Sequence, residues 1–221
     1  MGADHLQRGG YKMSRYIGPW SKVDRRFGAV LSNKKSAGKI LSRRNFPPGQ
    51  HGRVKGRKRK LTEFGLRLME KQKLKFLYGG LREKQFRRYF EEASKAKGNT
   101  GQVLLQLLER RLDNVVYRLG MAVTRRQARQ MIAHGHILVN GKKVDIPSYR
   151  VQVGDIIELK PASRDVPQFI ENIQSIDPRS IPPWLELDKE NFRGKVIDLP
   201  KEVQLEVPVN VQYIIEFYSR V

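Results

Sequence analysis

From Glu63 onward, apolar side chains return at helical spacing. In "LREKQFRRYFEEA" the residues Phe86, Tyr89, Phe90 and Ala93 share one face, while Lys84, Arg87 and Arg88 share another. The stretch therefore predicts a helix with one packing stripe and one outward cationic stripe. "KGNTGQ" then breaks the chain. After it, Leu104, Leu108, Leu112, Val115 and Leu119 mark the buried line of a strongly periodic helix. A further helix start lies in "GMAVTRRQARQMIAHGH", where Thr124 and Gln127 have the spacing of a capping box. Ala128, Met131 and Ile132 would face inward, leaving Arg125, Arg126, Arg129 and Gln130 for solvent or a ligand.

The period then shortens. Gly135 can close the helix in a left-handed cap, and "HILVNGKKV" places apolar residues on both sides of Asn140-Gly141, a pair preferred in two-residue hairpin turns. "YRVQVGDIIEL" continues the alternation, with Val151, Val153, Ile156 and Ile157 as strand core around a Gly154-Asp155 turn. The tail "LEVPVNVQYIIEFYSR" fits two elements. Val207, Val209, Val211, Tyr213 and Ile215 alternate as in a strand, whereas Asn210 could cap a helix bearing Val211, Ile214, Ile215 and Tyr218.

Residues 16–60 show little periodicity and much Gly, Pro, Ser, Lys and Arg, as in "SNKKSAGKILSRRNFPPGQHGRVKGRKRK". Such a segment is expected to be largely irregular in free solution. Its Tyr16, Trp20, Phe27 and Phe46, interleaved with the cations, suit a chain that orders on nucleic acid; a solvated basic tail is the plainer reading. "MGADHLQRGGYK" lacks the apolar centre of a secretory signal and is expected to be an extension ahead of Met13.

Charge sharpens this picture. The 221-residue chain has a formal net charge of +22, and residues 1–60 alone carry 17 basic and 2 acidic side chains. Residues 166–221 instead carry 6 basic and 9 acidic ones. A polyanion is the natural partner of such an excess, with nucleic acid first among the candidates. A membrane surface is the rival, but no apolar run approaches the roughly 20 residues that span a bilayer, and no lipidation motif is present.

Arg125 and Arg126 would sit in a first helical turn, against the helix dipole. A bound phosphate there would remove the conflict; two ordinary surface arginines are the alternative. The chain has no cysteine, which excludes disulfides and thiolate zinc sites and suits a reducing compartment, with cytoplasm as the default. His5, His51, His134 and His136 are scattered without cysteine partners, so neither a metal nor another cofactor is expected. Walker, dinucleotide and zinc-protease motifs are missing, and the Gly-Lys pair of "SAGKI" lacks the rest of a phosphate loop.

Residues 108–155, "LERRLDNVVYRLGMAVTRRQARQMIAHGHILVNGKKVDIPSYRVQVGD", resemble the small helix-helix-hairpin RNA-binding module first named in the fourth protein of the small ribosomal subunit. That module also occurs in tyrosyl-tRNA synthetases, pseudouridine synthases and a heat-shock RNA binder. The flanks "SRYIGP", "FPPGQHG", "LREKQFRRYFEEASKAKGNTG" and "EFYSR" resemble the ribosomal family itself, in bacterial or organellar form, over about Met13 to Val221. Relatives commonly carry two cysteine pairs, some binding zinc. Ser21 and Asp24 stand where the first would lie, and Lys34 and Lys39 mark the second, so zinc is not expected.

The resemblance implies an α+β chain: an alpha-rich N-terminal domain with a basic irregular segment, plus an inserted module with a small twisted antiparallel sheet. Its expected bounds are 13–105 with 166–221 returning as the tail, and 106–165 for the module. The return would explain why the tail is apolar and acidic, and the resemblance favours a helix there.

The implied function is that of a non-enzymatic small-subunit constituent and primary rRNA binder, which recognises a folded junction and nucleates assembly of the subunit body. Expected RNA contacts are Arg43, Arg44, Arg53, Lys55, Lys84, Arg87, Arg88, Arg110, Arg111, Arg118, Arg125, Arg126, Arg129, Gln130, His134, His136, Lys142 and Lys143. The family also implies contact with a neighbouring small-subunit protein at an interface linked to decoding accuracy, and with mRNA where it enters the ribosome. Repression of its own operon occurs in some members, and no stable homo-oligomer is expected. The rivals are a free RNA chaperone and a pseudouridine synthase. Asp113 in "RRLDNVV" superficially resembles the catalytic stretch of such synthases, but little chain remains for a catalytic domain.

Overall fold

A computed structural model describes residues 16–34, 36–53 and 61–219, without the side chains of His51 and Arg53. The first described segment is more ordered than its composition suggests. Helix α1 (Trp20–Phe27) ends at Gly28 in the left-handed region (φ 64°), and α2 (Ala37–Arg43) follows. Between them the buried Asp24 carboxylate accepts the Leu31 and Ser32 amides (2.8 and 3.0 Å) and the Ser32 hydroxyl (2.6 Å). The aromatics expected to await nucleic acid are partly engaged already. Trp20 is buried and meets Tyr16 and Phe76 edge-on, and Phe27 is half-buried against Phe76.

Helix α3 (Glu63–Leu77) starts at Thr62, whose hydroxyl accepts the Gly65 amide, and α4 (Glu83–Lys95) buries Phe86, Tyr89 and Ala93 as the pattern requires. The next periodic stretch is two helices rather than one, α5 (Thr100–Glu109) and α6 (Leu112–Arg118). Leu104, Leu108, Leu112, Val115 and Leu119 are nonetheless all fully buried. The interruption has a backbone cause. The Leu112 and Asp113 amides bond the Tyr149 and Pro147 carbonyls, and the Arg110 carbonyl accepts the Val151 amide. Groups that would have continued the helix ladder are thus diverted to residues 147–151.

Helix α7 (Arg125–Ala133) follows, with the Thr124 hydroxyl accepting the Gln127 amide. The Gln127 side chain reaches the Val123 amide (2.8 Å), one residue before the position a capping box would use. Strands β1 (Ile137–Val139) and β2 (Lys142–Lys143) flank Asn140 (φ 51°) and Gly141 (φ 74°), the two positive φ angles of the expected hairpin turn. Then come β3 (Ile156–Leu159), α8 (Pro167–Ser175), β4 (Leu185–Asp188), β5 (Arg193–Val196) and α9 (Val211–Ser219). The strands form one antiparallel sheet in the order β2-β1-β3-β5-β4. Val153 lies outside its strand core, being 52% exposed in the turn before β3.

Two apolar cores result. One joins α3, α4 and α5 with Val23, Leu31, Val207 and Ile214. The other joins α6, α7 and the sheet, and it includes Phe169, Ile173, Trp184, Leu185 and Val196. Return of the chain to the helical half thus begins near Leu205 instead of at residue 166, because β4 and β5 extend the sheet of the module. The tail itself is helical, and the Asn210 side chain accepts the Tyr213 amide at its start. Among the described residues no helix is long and apolar enough to cross a membrane.

Candidate nucleic-acid interface

The seam between the two cores is polar. Asp113, at the start of α6, accepts Nε and Nη2 of Arg111 (3.0 and 2.7 Å) and Nε and Nη2 of Arg129 (3.1 and 3.0 Å). Arg111 also donates to the Tyr89 hydroxyl (2.7 Å), and Arg129 to the carbonyls of Tyr78 and Gly79 (3.3 and 3.1 Å). Beside this lies Glu109, a buried carboxylate that accepts the Tyr78 hydroxyl, the Asn114 amide and two nitrogens of Arg118. Glu206 completes the seam by accepting from Arg118, twice from Arg125, and from Asn33 (2.7–3.2 Å).

Each shift in proton affinity there follows from the same contest. Burial pushes the Glu206 carboxyl up, but Arg125 and then Arg118 and Asn33 hold it below its ordinary value. Burial disfavours the charged Arg111, yet Asp113 holds its proton more tightly than usual. The Tyr78 hydroxyl is pushed well up, by burial and then by the Glu109 charge. Buried charges of this kind persist only when fully paired and hydrogen-bonded.

This corrects the expected exposure of the module's arginines. Arg125 is 4% exposed and Arg111 only 2%, and Arg118 and Arg129 have their guanidinium groups engaged by carboxylates. The charge conflict at the start of α7 is answered for Arg125 from within the chain, by Glu206. Arg126 is half-buried with its guanidinium over the Trp20 ring (5.4 Å). Arg110 donates to the Val151 carbonyl, and burial, followed by the like charge of Arg150, makes it a weaker base than usual.

Other expected contacts do face outward. Lys84 and Arg88 on α4, Arg43 and Arg44 at the end of α2, and Lys142 and Lys143 on β2 are exposed, with no carboxylate partner among the described residues. Arg87 is exposed and pairs with Glu91 (3.1 Å), a bond that water screens. Gln130 and His134 are exposed near the end of α7, where Gly135 (φ 74°) turns the chain and Lys143 lies across it; a Cβ there would fall 2.4 Å from the Lys143 Cε. His136 Nδ1 lies 2.9 Å from the Ser163 hydroxyl. Burial, then His134 and Lys160, keep this imidazole less basic than usual.

The Arg53 side chain and Lys55 lie outside the described residues. Exposed cations outside the expected set include Lys22 and Arg26 on α1 and Lys160 beside His136. The signal for α1 was present in the alternation of Trp20 and Val23 with those cations. Lys160 carried no local signal, since it joins the patch only through its amide's bond to the His136 carbonyl (2.8 Å). Among the described residues no group of three or more His, Asp or Glu side chains could hold a metal.

A helix-helix-hairpin unit held by a polar seam against a helical half, with exposed cations on each, fits the class of RNA-binding proteins that the family matches identify, the S4-domain class. Residues 15–109 match the ribosomal protein S4/S9 N-terminal domain and residues 110–157 match the S4 domain, the boundary falling at the break between α5 and α6. The chain is 72% identical over 211 residues to small ribosomal subunit protein uS4 of Aquifex aeolicus, covering 95% of this chain and all of that one. It is 68% identical to the uS4 protein of Persephonella marina and 52% identical to that of Thermus thermophilus, in each case over 94% of this chain and all of the relative. The chain belongs to the uS4 family of small ribosomal subunit proteins. It is accordingly a structural, non-enzymatic ribosomal protein with RNA-binding domains, of α+β fold.

Proposed function

We propose that this protein is a primary rRNA binder that recognises a folded junction of the small-subunit rRNA and nucleates assembly of the subunit body. The observation that carries the reading is the presence of exposed cations, without carboxylate partners among the described residues, on both halves of a molecule joined by the seam. Lys84, Arg88, Arg43 and Arg44 serve the helical half, and Lys142 and Lys143 serve the module, with the exposed polar side chains of Gln130 and His134 beside them. A-form RNA hides its base edges in a deep, narrow groove, so recognition rests on phosphates and on the shape that sets their spacing. Two separated cationic faces can span converging helices where one face could grip only a single duplex.

Contacts with a neighbouring small-subunit protein, a contribution to translational accuracy, contact with mRNA where it enters and repression of its own operon belong to the same proposal. They rest on family membership, as does action without a stable homo-oligomer. The test is binding of RNA-free protein to the small-subunit rRNA 5′ domain and to an unrelated duplex of similar length, at several salt concentrations. With ~8 phosphates neutralised, log affinity should fall against log salt with a slope of about −6 to −7. A preference for the junction of about 100-fold, or about 2.7 kcal/mol, is expected. Equal binding to both RNAs would point to a free RNA chaperone, and a slope near zero would remove the electrostatic mechanism.

A further inference from the structure

We propose that Glu206 and Asn33 are positioning residues that set RNA specificity by fixing the angle between the two cationic faces, without themselves touching RNA. Glu206 lies on the strap that leaves β5 and returns to α9. One of its carboxylate oxygens accepts from Arg118 and Arg125, and the other from Arg125 and Asn33. Arg118 and Arg125 belong to the module, whereas Asn33 belongs to the loop between α1 and α2.

That loop is built to aim Asn33. Asp24 holds the Leu31 and Ser32 amides, and Asn33 itself takes a positive φ of 51°, which an L side chain adopts only at a cost. Its amide group donates to Glu206 (2.7 Å) and to the Tyr117 hydroxyl of α6 (2.6 Å). A single carboxylate and a single amide thus join three separate stretches of chain.

Beyond residue 204 the strap's other ties are to the helical half: Val207 is buried in the helical core with Leu205 and Val209 against it, the Pro208 carbonyl accepts Lys73 Nζ, and the Asn210 amide donates to Glu70. Cavities of about 440 and 410 Å³ open near Glu206, and both are lined by Arg118 and Glu206. Open clefts on that side bring no packing to bear on the knot, so the Glu206 contacts carry the strap's hold on Arg118 and Arg125 of the module, and undoing them loosens one half against the other. A junction presents phosphates at fixed separation, so such movement would weaken binding to the junction more than binding to a duplex, which either face could grip alone.

The inference rests on the junction-binding reading above, and the test separates the two. Glu206→Gln keeps the shape and removes the charge. Asn33→Gly removes the amide, suits the positive φ, and leaves the Glu206 pairs with Arg118 and Arg125 in place, so it reports even if Glu206→Gln folds poorly. The chain lacks cysteine, so spin labels on Lys95→Cys and Glu186→Cys report one distance between the halves. Wild type should give a narrow distribution and both variants a broad one. Preference for the rRNA 5′ domain over duplex should fall about tenfold or more, with duplex affinity and salt slope unchanged. An unchanged distribution, an unchanged preference, or equal loss for both RNAs would overturn the inference. Equal binding by wild type would overturn the junction reading itself, while the label distances still report on the seam.

Discussion

Arginines at the seam and cations on the outer faces are alike in sequence and opposite in circumstance. Arg111, Arg118, Arg125 and Arg129 each meet a carboxylate within 3.1 Å, and the first and third are almost wholly buried. Lys84, Arg88, Lys142 and Lys143 meet none among the described residues. The difference teaches that a basic module can use much of its arginine to hold itself to its neighbour, so that the cations left open to a polyanion lie at its rim. Carboxylates decide which is which. Asp113 is local, but Glu206 comes from 81 residues beyond Arg125.

The largest break in this comparison should come from Asp113→Ala, which would strand Arg111 and Arg129. Loss of a partner in a buried pair costs about 3–5 kcal/mol, to be read by urea denaturation, and a loss below about 1 kcal/mol would show the seam to be no tie at all. Next, Ile214→Ala empties a fully buried site on α9 and should cost about 3 kcal/mol. Its salt slope with RNA should stay unchanged, because the tail packs rather than binds.

The double change Lys142→Ala and Lys143→Ala should do the reverse. Stability should hold within about 0.5 kcal/mol, while the salt slope becomes shallower by about 1.5 as two phosphate contacts disappear. An unchanged slope would remove the hairpin from the interface.

A smaller effect concerns acid. Burial raises the Glu83 carboxyl, but Lys75, Tyr218 and Lys71 overcome this and bring it from 4.5 to about 2. The unfolded chain therefore takes up the proton first as pH falls. Stabilisation by Glu83 is complete above about pH 4.5 and is lost progressively down to about pH 2. Glu83→Gln should flatten the stability curve within that window, lying below wild type by a constant amount above about pH 6 and converging with it towards pH 2; an identical slope in both proteins would contradict the pairing.

Much of the fold was legible because it follows from local periods. The apolar lines of α4 and of α5 with α6, the start of α7 and the Asn140-Gly141 turn are all set by neighbours within a few positions. The break between α5 and α6 was not, since the groups that divert its backbone lie near residue 150. Likewise nothing near β4 or β5 announces that they extend the module's sheet. At the candidate site, helical spacing could place Lys84, Arg87 and Arg88 on one outward face. It could not reveal that Arg125 turns inward, because the reason is a carboxylate on the strap.

The central claim, that rim cations meet RNA and seam arginines do not, can be read in the unaltered protein by covalent modification of arginine with a dicarbonyl reagent, located by mass spectrometry with and without the rRNA 5′ domain. Arg43, Arg44 and Arg88 should react in the free protein and be protected when RNA is bound, while Arg111 and Arg125 stay unreactive throughout. Arg111 and Arg125 reacting freely and becoming protected on RNA binding, with Arg88 indifferent, would contradict the account.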